Sequence, residues 1–202
     1  MKNMGPTWRN LKYIYYLCTR KTKRTMGDIV DIAQALALLH TLQGAAFSRQ
    51  VERIALQAGF FPLEGETNIL ITGGVQNADF DNLLNAARKA VAHGYRVFIL
   101  PNPKGIRTPD FILESRGVYK PYDVKTIQGK GSAGTRLLES IGQCNRILMN
   151  MTSDYNARFL ASDIRAYFES NPHAVEVMIF KGKKVISVVR RFSENPMFNR
   201  AQ

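Results

Sequence analysis

The chain has few residues of the kinds that build metal clusters or disulfide frameworks. Its 202 residues include two cysteines, Cys18 and Cys144, which are far apart in sequence. The three histidines are isolated, and no Cys/His spacing typical of a zinc site is present. These absences exclude a disulfide scaffold and a structural zinc cluster, so we predict two reduced thiols.

Long apolar runs are also missing. The segment 13–18 is too short for a signal peptide and basic residues follow it at once, while polar residues interrupt the Ala- and Leu-rich segment 26–47. We therefore predict no membrane span. The length suits one domain with an extension, and the turn-rich stretch after Phe60-Phe61-Pro62 marks the expected boundary. The prediction is a basic, helical N-terminal extension over 1–62 and a second domain over 63–202.

Acidic residues are scarce, and their scarcity is uneven. The chain has 28 Lys and Arg against 16 Asp and Glu, a net charge of +12, and residues 1–27 contain seven cations and no acid. Such a balance favours a polyanion such as nucleic acid as the partner. A loosely docked basic tail is an equally good interpretation of 1–27. The candidate phosphate contacts in this segment are Lys12, Arg20, Lys21, Lys23 and Arg24.

Two short segments carry the chemistry. Asp110 follows Pro109 in a segment rich in β-formers, and the next such segment contains Asp123-Val124-Lys125. Residues i and i+2 of a strand share a face, so Asp123 and Lys125 are expected to point the same way. Pairing of the two strands would bring Asp110 beside them. Two carboxylates and an ammonium suit a hard divalent cation and an attacking water. The plain alternatives are a strand-opening Asp110 and a solvent face for the other two.

This pattern resembles the PD-(D/E)xK nuclease superfamily, and the stretch from Asp79 to about Arg191 is similar to the C-terminal nuclease domains of CdiA-type contact-dependent inhibition toxins. The resemblance implies an α/β (α+β) fold with a restriction-endonuclease-like α-β-β-β-α-β core. It implies a metal held by Asp110, Asp123 and the Val124 carbonyl, with Lys125 orienting the water.

The resemblance also places further polar residues near the site. Gln143 stands where many of these nucleases have an active-site polar residue, and Arg136 is a candidate phosphate contact. The family often has a Glu on its first core helix. Here that helix has none, and its polar choices are Asp79, Asp81, Asn82 and Asn85. Asn82 and Asn85, which share a helix face, are the candidate site residues.

The order of elements is expected to match that core. We predict a helix over 79–93, a strand over 95–100 and then the two motif strands. A second helix is predicted to run to about 150, with a buried stripe that includes Leu138, Ile147 and Leu148. A third helix over 155–170 turns Phe159 inward, and a hairpin over 174–192 follows.

The predicted function is a metal-dependent nuclease that cleaves DNA or tRNA, with Mg²⁺ (or Mn²⁺ or Zn²⁺) as cofactor. An immunity protein is the further partner that the toxin resemblance implies. The expected location is the cytoplasm of the producing cell or of a target cell. Two alternatives stay open. One is a metal-independent, tRNA-cleaving toxin of the barnase or EndoU type that uses Lys125 and Thr126, and the other is a non-catalytic nucleic-acid-binding protein.

Overall fold

The fold is a mixed α/β architecture built on one eight-stranded sheet. The computed structural model describes residues 26–57, 59–73, 79–103, 105, 107–129 and 133–193, with side chains from Ile32 onward. The strands lie side by side in chain order from β1 to β8. The basic residues predicted to contact phosphate between positions 12 and 24 lie outside the described residues.

Six α-helices and a 3₁₀ helix accompany the strands. In chain order the elements are α1 (Met26–Ala37), the 3₁₀ helix (Leu38–Thr41), α2 (Gly44–Ala55), β1 (Phe60–Leu63), β2 (Glu66–Thr72), α3 (Phe80–Ala92), β3 (Arg96–Ile99), β4 (Phe111–Ser115), β5 (Val118–Ile127), α4 (Ala133–Glu139), β6 (Arg146–Met151), α5 (Ala157–Ser170), β7 (Glu176–Lys181), β8 (Lys184–Val189) and α6 (Arg190–Ser193). Among the described helices, none is long and apolar enough to cross a membrane.

Strand direction follows from the connections. β3, β4 and β5 form an antiparallel meander, whereas β5, β6 and β7 are parallel. A parallel pair needs a crossover, which α4 provides between β5 and β6 and α5 provides between β6 and β7. The three strands predicted after the first helix and the predicted hairpin of β7 and β8 are thus present. From α3 to β6 the elements run helix, three strands, helix, strand.

The sheet buries apolar side chains on both faces. On one face, which we call the α3 face, α3 packs on side chains that include Val97, Leu113 and Val124. The opposite face carries two separate groups. The first consists of α1, the 3₁₀ helix and α2, packed on β2 to β4 through residues such as Ile112. The second consists of α4 and α5, packed on β5 to β7 through residues such as Ile147.

The predicted helix up to residue 150 is wrong. The helix ends at Glu139, and Arg146–Met151 is a strand between β5 and β7. A parallel strand that is buried on both faces has a continuous apolar sequence, which cannot be told from a buried helix by its periodicity. Two stripe residues predicted to be buried are also exposed, Leu138 at 49% and Phe159 at 67%.

Residues on both sides of the predicted boundary at position 62 contribute to the same sheet. β1 pairs with β2 through Phe60–Leu63, and Phe60 packs in the same cluster as α1, α2 and Phe98. The helices before position 62 therefore form one of the two helical groups on the opposite face. The site described next lies where that group meets the other one.

Candidate functional site

Asp123 and Lys125 lie on the face opposite α3. Ile112, which packs against α1 and α2, pairs with Pro121 across β4 and β5, and side chains at i and i+2 share a face. β5 stands between β4, which the first helical group covers, and β6, which the second group covers. The two side chains therefore emerge at the junction of the two groups.

Asp110 joins them from the residue just before β4. Its backbone extends the ladder, because Leu100 N donates to Asp110 O at 2.8 Å and Asp110 N donates to Tyr122 O at 2.9 Å. These bonds fix the backbone and aim the side chain along β5. Asp110 Oδ2 then accepts from Val124 N at 2.8 Å. The aspartate is held in place by the sheet itself.

The three charged groups meet closely. Lys125 Nζ lies 3.0 Å from Asp123 Oδ2 and 3.2 Å from Asp123 Oδ1. The carboxyl groups of Asp110 and Asp123 are close enough for each to shift the pKa of the other. Asp123 is only 1% exposed, so the alternative of a solvent-facing aspartate is wrong. The three side chains lie together, as the sequence predicted.

Burial makes this carboxylate pair hard to ionise. Loss of solvation and the negative charge of Asp110 together raise the pKa of Asp123 to about 8, although the Lys125 ammonium opposes the rise. Burial also raises the pKa of Asp110, while its bond from Val124 N lowers it. Two carboxyl groups this close share one proton near neutral pH. A cation between them would replace that proton.

Gln143 completes the cluster from the turn after α4. One terminal atom of its amide is 3.3 Å from Lys125 Nζ. With the amide nitrogen turned toward the carboxylate, Gln143 donates to Asp123 Oδ1 at 2.8 Å. The prediction placed this residue within a helix, but it lies in a turn. Its proximity to the acids is as expected, and it supplies a neutral polar group to them.

Val124 presents its main chain to the same place. In an antiparallel pair, the N–H and C=O of one residue point to the same side of the strand. Since Val124 N donates to the Asp110 carboxylate, the Val124 carbonyl is also directed past the start of β4. Its side chain packs in the core on the α3 face. The main-chain oxygen is thus a candidate third ligand beside the two carboxylates.

The predicted first-helix residues do not join this cluster. Asn85 Oδ1 accepts from Asn150 Nδ2 at 3.1 Å, and Asn150 also donates to Thr126 at 3.4 Å. Thr126 alternates with Lys125 along β5, so this network lies on the α3 face. Among the described residues, Asn82, on the first turn of the same helix, makes no hydrogen bond to Asp110 or Asp123. Asp79, the residue just before this helix, does influence the site, because its charge raises the pKa of Asp110.

Arg136 is occupied elsewhere. Its Nη1 lies 2.9 Å from Glu139 Oε2 in an exposed pair one helical turn apart. A different arginine, which the sequence did not single out, stands near the cluster. Arg107 O accepts from His40 Nε2 at 2.5 Å, and Arg107 Nη1 donates to Ile141 O at 3.1 Å. No sequence signal could have joined these residues, because His40 and Arg107 are 67 positions apart.

A second buried acid lies on the α3 face. Glu176 opens β7 and is 4% exposed. Its carboxylate accepts from Ser187 at 2.5 Å and from the Tyr122 hydroxyl at 3.0 Å, and it pairs with Arg146 at 3.4 Å and Lys120 at 3.5 Å. Although burial alone would raise the pKa of Glu176, these donors lower it. This carboxylate is satisfied by the protein.

The donor set can be tested against a metal ion. Among the described residues, no group of three or more His, Cys, Asp or Glu side chains is arranged to hold one. Two carboxylates and a carbonyl oxygen fit Mg²⁺ or Mn²⁺, which prefer oxygen ligands and keep several waters. They do not fit a structural Zn²⁺ site, which takes four protein ligands rich in Cys and His.

Comparison with known proteins adds no relative. The chain matches no protein-family model, no curated protein and no solved structure.

Proposed function

We propose that this protein is a metal-dependent nuclease whose centre is formed by Asp110, Asp123 and Lys125. The single observation that carries the proposal is the pairing of a buried carboxylate, Asp123, with the half-buried carboxylate of Asp110 beside a lysine. One carboxylate is held by a backbone N–H, and the other has only one cationic partner. The order of helix, three strands, helix and strand is the order that the resemblance to PD-(D/E)xK nucleases implies. We place the chain in that fold group as part of the proposal.

The residues have distinct roles in this scheme. Asp110 and Asp123, with the Val124 carbonyl, would hold one Mg²⁺ or Mn²⁺ ion. When bound, the ion supplies charge to offset the negative charge that develops on the phosphate oxygens. Lys125 lies against Asp123, where its ammonium can orient a water or stabilise a phosphate oxygen. Gln143 keeps the Asp123 carboxylate in position with a neutral donor.

Net charge supports nucleic acid as the substrate. The chain carries +12, and a polyanion gains affinity from each phosphate that a lysine or arginine neutralises. The geometry gives no support to the metal-independent alternative, because Lys125 and Thr126 lie on opposite faces of β5 and Thr126 is bonded to Asn150. The choice between DNA and RNA, and an immunity protein as partner, remain predictions.

The test is digestion of plasmid DNA and total RNA with and without Mg²⁺. The wild-type chain is expected to cleave one of the two with Mg²⁺, and EDTA is expected to stop cleavage because the carboxylates then have no ion to hold. Asp110→Asn should remove the activity. The matched control is Asp154→Asn, which changes an aspartate that is 95% exposed and pairs with Lys181.

Two results would contradict the proposal. The first is full cleavage in EDTA, which would favour a metal-independent mechanism. The second is an Asp110→Asn variant that folds and cleaves like Asp154→Asn, which would remove the carboxylate pair from the chemistry.

A further inference from the structure

Arg107 connects the two helical groups that border the carboxylate pair. Its carbonyl accepts from His40, in the 3₁₀ helix of the first group. Its guanidinium donates to the carbonyl of Ile141, in the turn after α4 of the second group. One residue thus contacts both sides of the junction at which Asp123 and Lys125 emerge.

The chain and the turn after α4 both connect Arg107 to the proposed centre. Arg107 precedes Asp110 by three residues, so their Cα atoms are at most about 11 Å apart. The turn that it contacts also carries Gln143, whose amide reaches Asp123. A Cβ on Gly142 would lie 3.8 Å from Arg107 Nη1, so the arginine packs directly on this turn.

The side chain keeps donors available. A guanidinium has five N–H groups, and among the described residues only Nη1 of Arg107 donates a hydrogen bond, to Ile141 O. Arg107 is exposed. It takes part in none of the ion pairs found among the described residues. Arg136 differs because Glu139 neutralises it. Arg107 is therefore an anchored, exposed cation with N–H groups left for a ligand.

We propose that Arg107 binds a backbone phosphate of the nucleic acid next to the bond that is cut. This inference rests on the proposed function. The planar guanidinium matches two phosphate oxygens at once, and its charge is delivered where the acids would otherwise repel the approaching backbone. Its anchors to His40 and Ile141 reduce the side-chain freedom that binding must restrict. Arg107 thereby sets the position of the substrate relative to Asp110 and Asp123.

The experiment is a salt titration of binding in the Asp123→Asn background, with short fluorescent RNA and DNA oligonucleotides as probes. Arg107→Gln is expected to weaken binding and to reduce the slope of log affinity against log salt by about one, the effect of losing one phosphate contact. Arg107→Lys should keep the slope and lose part of the affinity, since a point charge cannot bind with two parallel bonds. If Arg107 only holds the two helical groups together, Arg107→Gln would leave the slope unchanged.

The matched control is Arg116→Gln. Arg116 is exposed in the turn between β4 and β5, at the other end of these strands from Asp110. Its replacement by Gln removes the same charge as Arg107→Gln. If Arg107→Gln and Arg116→Gln give the same slope while the wild-type chain cleaves with Mg²⁺, this inference is overturned and the nuclease proposal stands. A wild-type chain that neither binds nor cleaves either nucleic acid contradicts both.

Discussion

Two buried carboxylates, Asp123 and Glu176, have opposite chemistry although they lie on neighbouring parts of the same sheet. Glu176 is met by a serine hydroxyl, a tyrosine hydroxyl and two cations, and its pKa is lowered. Asp123 is met by one lysine, one neutral amide and another carboxyl group, and burial raises its pKa to about 8. The number of donors that reach the carboxylate decides the sign of the shift, since both are almost fully buried.

The difference separates a structural acid from a candidate functional one. A carboxylate with several protein donors stabilises the fold and has little need of a ligand. A pair of carboxylates beside one ammonium has more negative than positive charge, and a divalent cation would neutralise the excess. Strongly perturbed acids of the second type cluster at functional sites.

The largest expected effect is on activity. Asp123→Asn should lower the Mg²⁺-dependent cleavage rate by more than about 100-fold, because it removes a proposed ligand and even residues that only support ligands cost 10- to 100-fold. The free energy of unfolding should not fall, since the variant relieves a buried carboxylate pair. Glu176→Gln should do the reverse and keep the cleavage rate of the folded fraction. Equal activity losses in the two variants would erase the distinction.

The next effect is on stability. Glu176→Ala should lower the free energy of unfolding by about 3 kcal/mol, as expected when one partner of a buried charge network is removed. The change leaves Arg146 without its carboxylate and the Tyr122 hydroxyl without its acceptor. Urea unfolding measures the effect, with Asp154→Ala as the exposed control. A loss no larger than that of the control would show that the network contributes nothing.

The pH dependence of stability should differ in sign between the two acids. Asp123 binds its proton more tightly when folded, so without a cation it lowers the unfolding free energy as pH rises from its ordinary pKa of 3.8 to about 8. Glu176, with its lowered pKa, stabilises the fold above its ordinary pKa of 4.5, and this contribution is lost as pH falls through its folded pKa. Urea titrations in EDTA across this range measure both.

The variants assign each pH range to its residue. Asp123→Asn should abolish the decline between acidic pH and about 8, and Glu176→Gln should flatten only the acid limb. If Asp123→Asn leaves the decline unchanged, another group is responsible for it.

A smaller effect is expected at Gln143. Gln143→Ala should lower the cleavage rate by about 10-fold, because the amide positions the Asp123 carboxylate without being a proposed ligand. Gln143→Glu, which replaces the donor with a third acid, should shift the pH profile of cleavage upward. Unchanged rates and profile in both variants would show that the contact in the turn has no role in positioning.

The sequence predicted the part of the site that is local. Asp123 and Lys125 share a face because strand alternation requires it, and the two motif strands are present and pair with each other. Asp110 beside them followed from simple pairing of those strands. The raised pKa of Asp123 was not predictable, because it depends on how deeply the packing around β5 buries this carboxyl group.

The rest depended on long-range packing. The sequence of β6 resembles a buried helix because its neighbours β5 and β7 cover both of its edges and helices cover both of its faces. Asn85 was placed near the acids by analogy, but α3 packs on the opposite face, where Asn150 binds it. The position of Arg107 between the two helical groups could not be predicted, because its contact with His40 joins segments that are 67 residues apart.

The most direct measurement is calorimetric titration of the wild-type chain with Mn²⁺ at pH 7, in two buffers of different ionisation enthalpy. We predict one bound ion per chain and release of about one proton, because the cation replaces the proton that the carboxylate pair shares. Asp123→Asn should lose the binding and Glu176→Gln should keep both the binding and the proton release. Absence of binding in the wild-type chain, or binding that survives Asp123→Asn unchanged, would contradict the account.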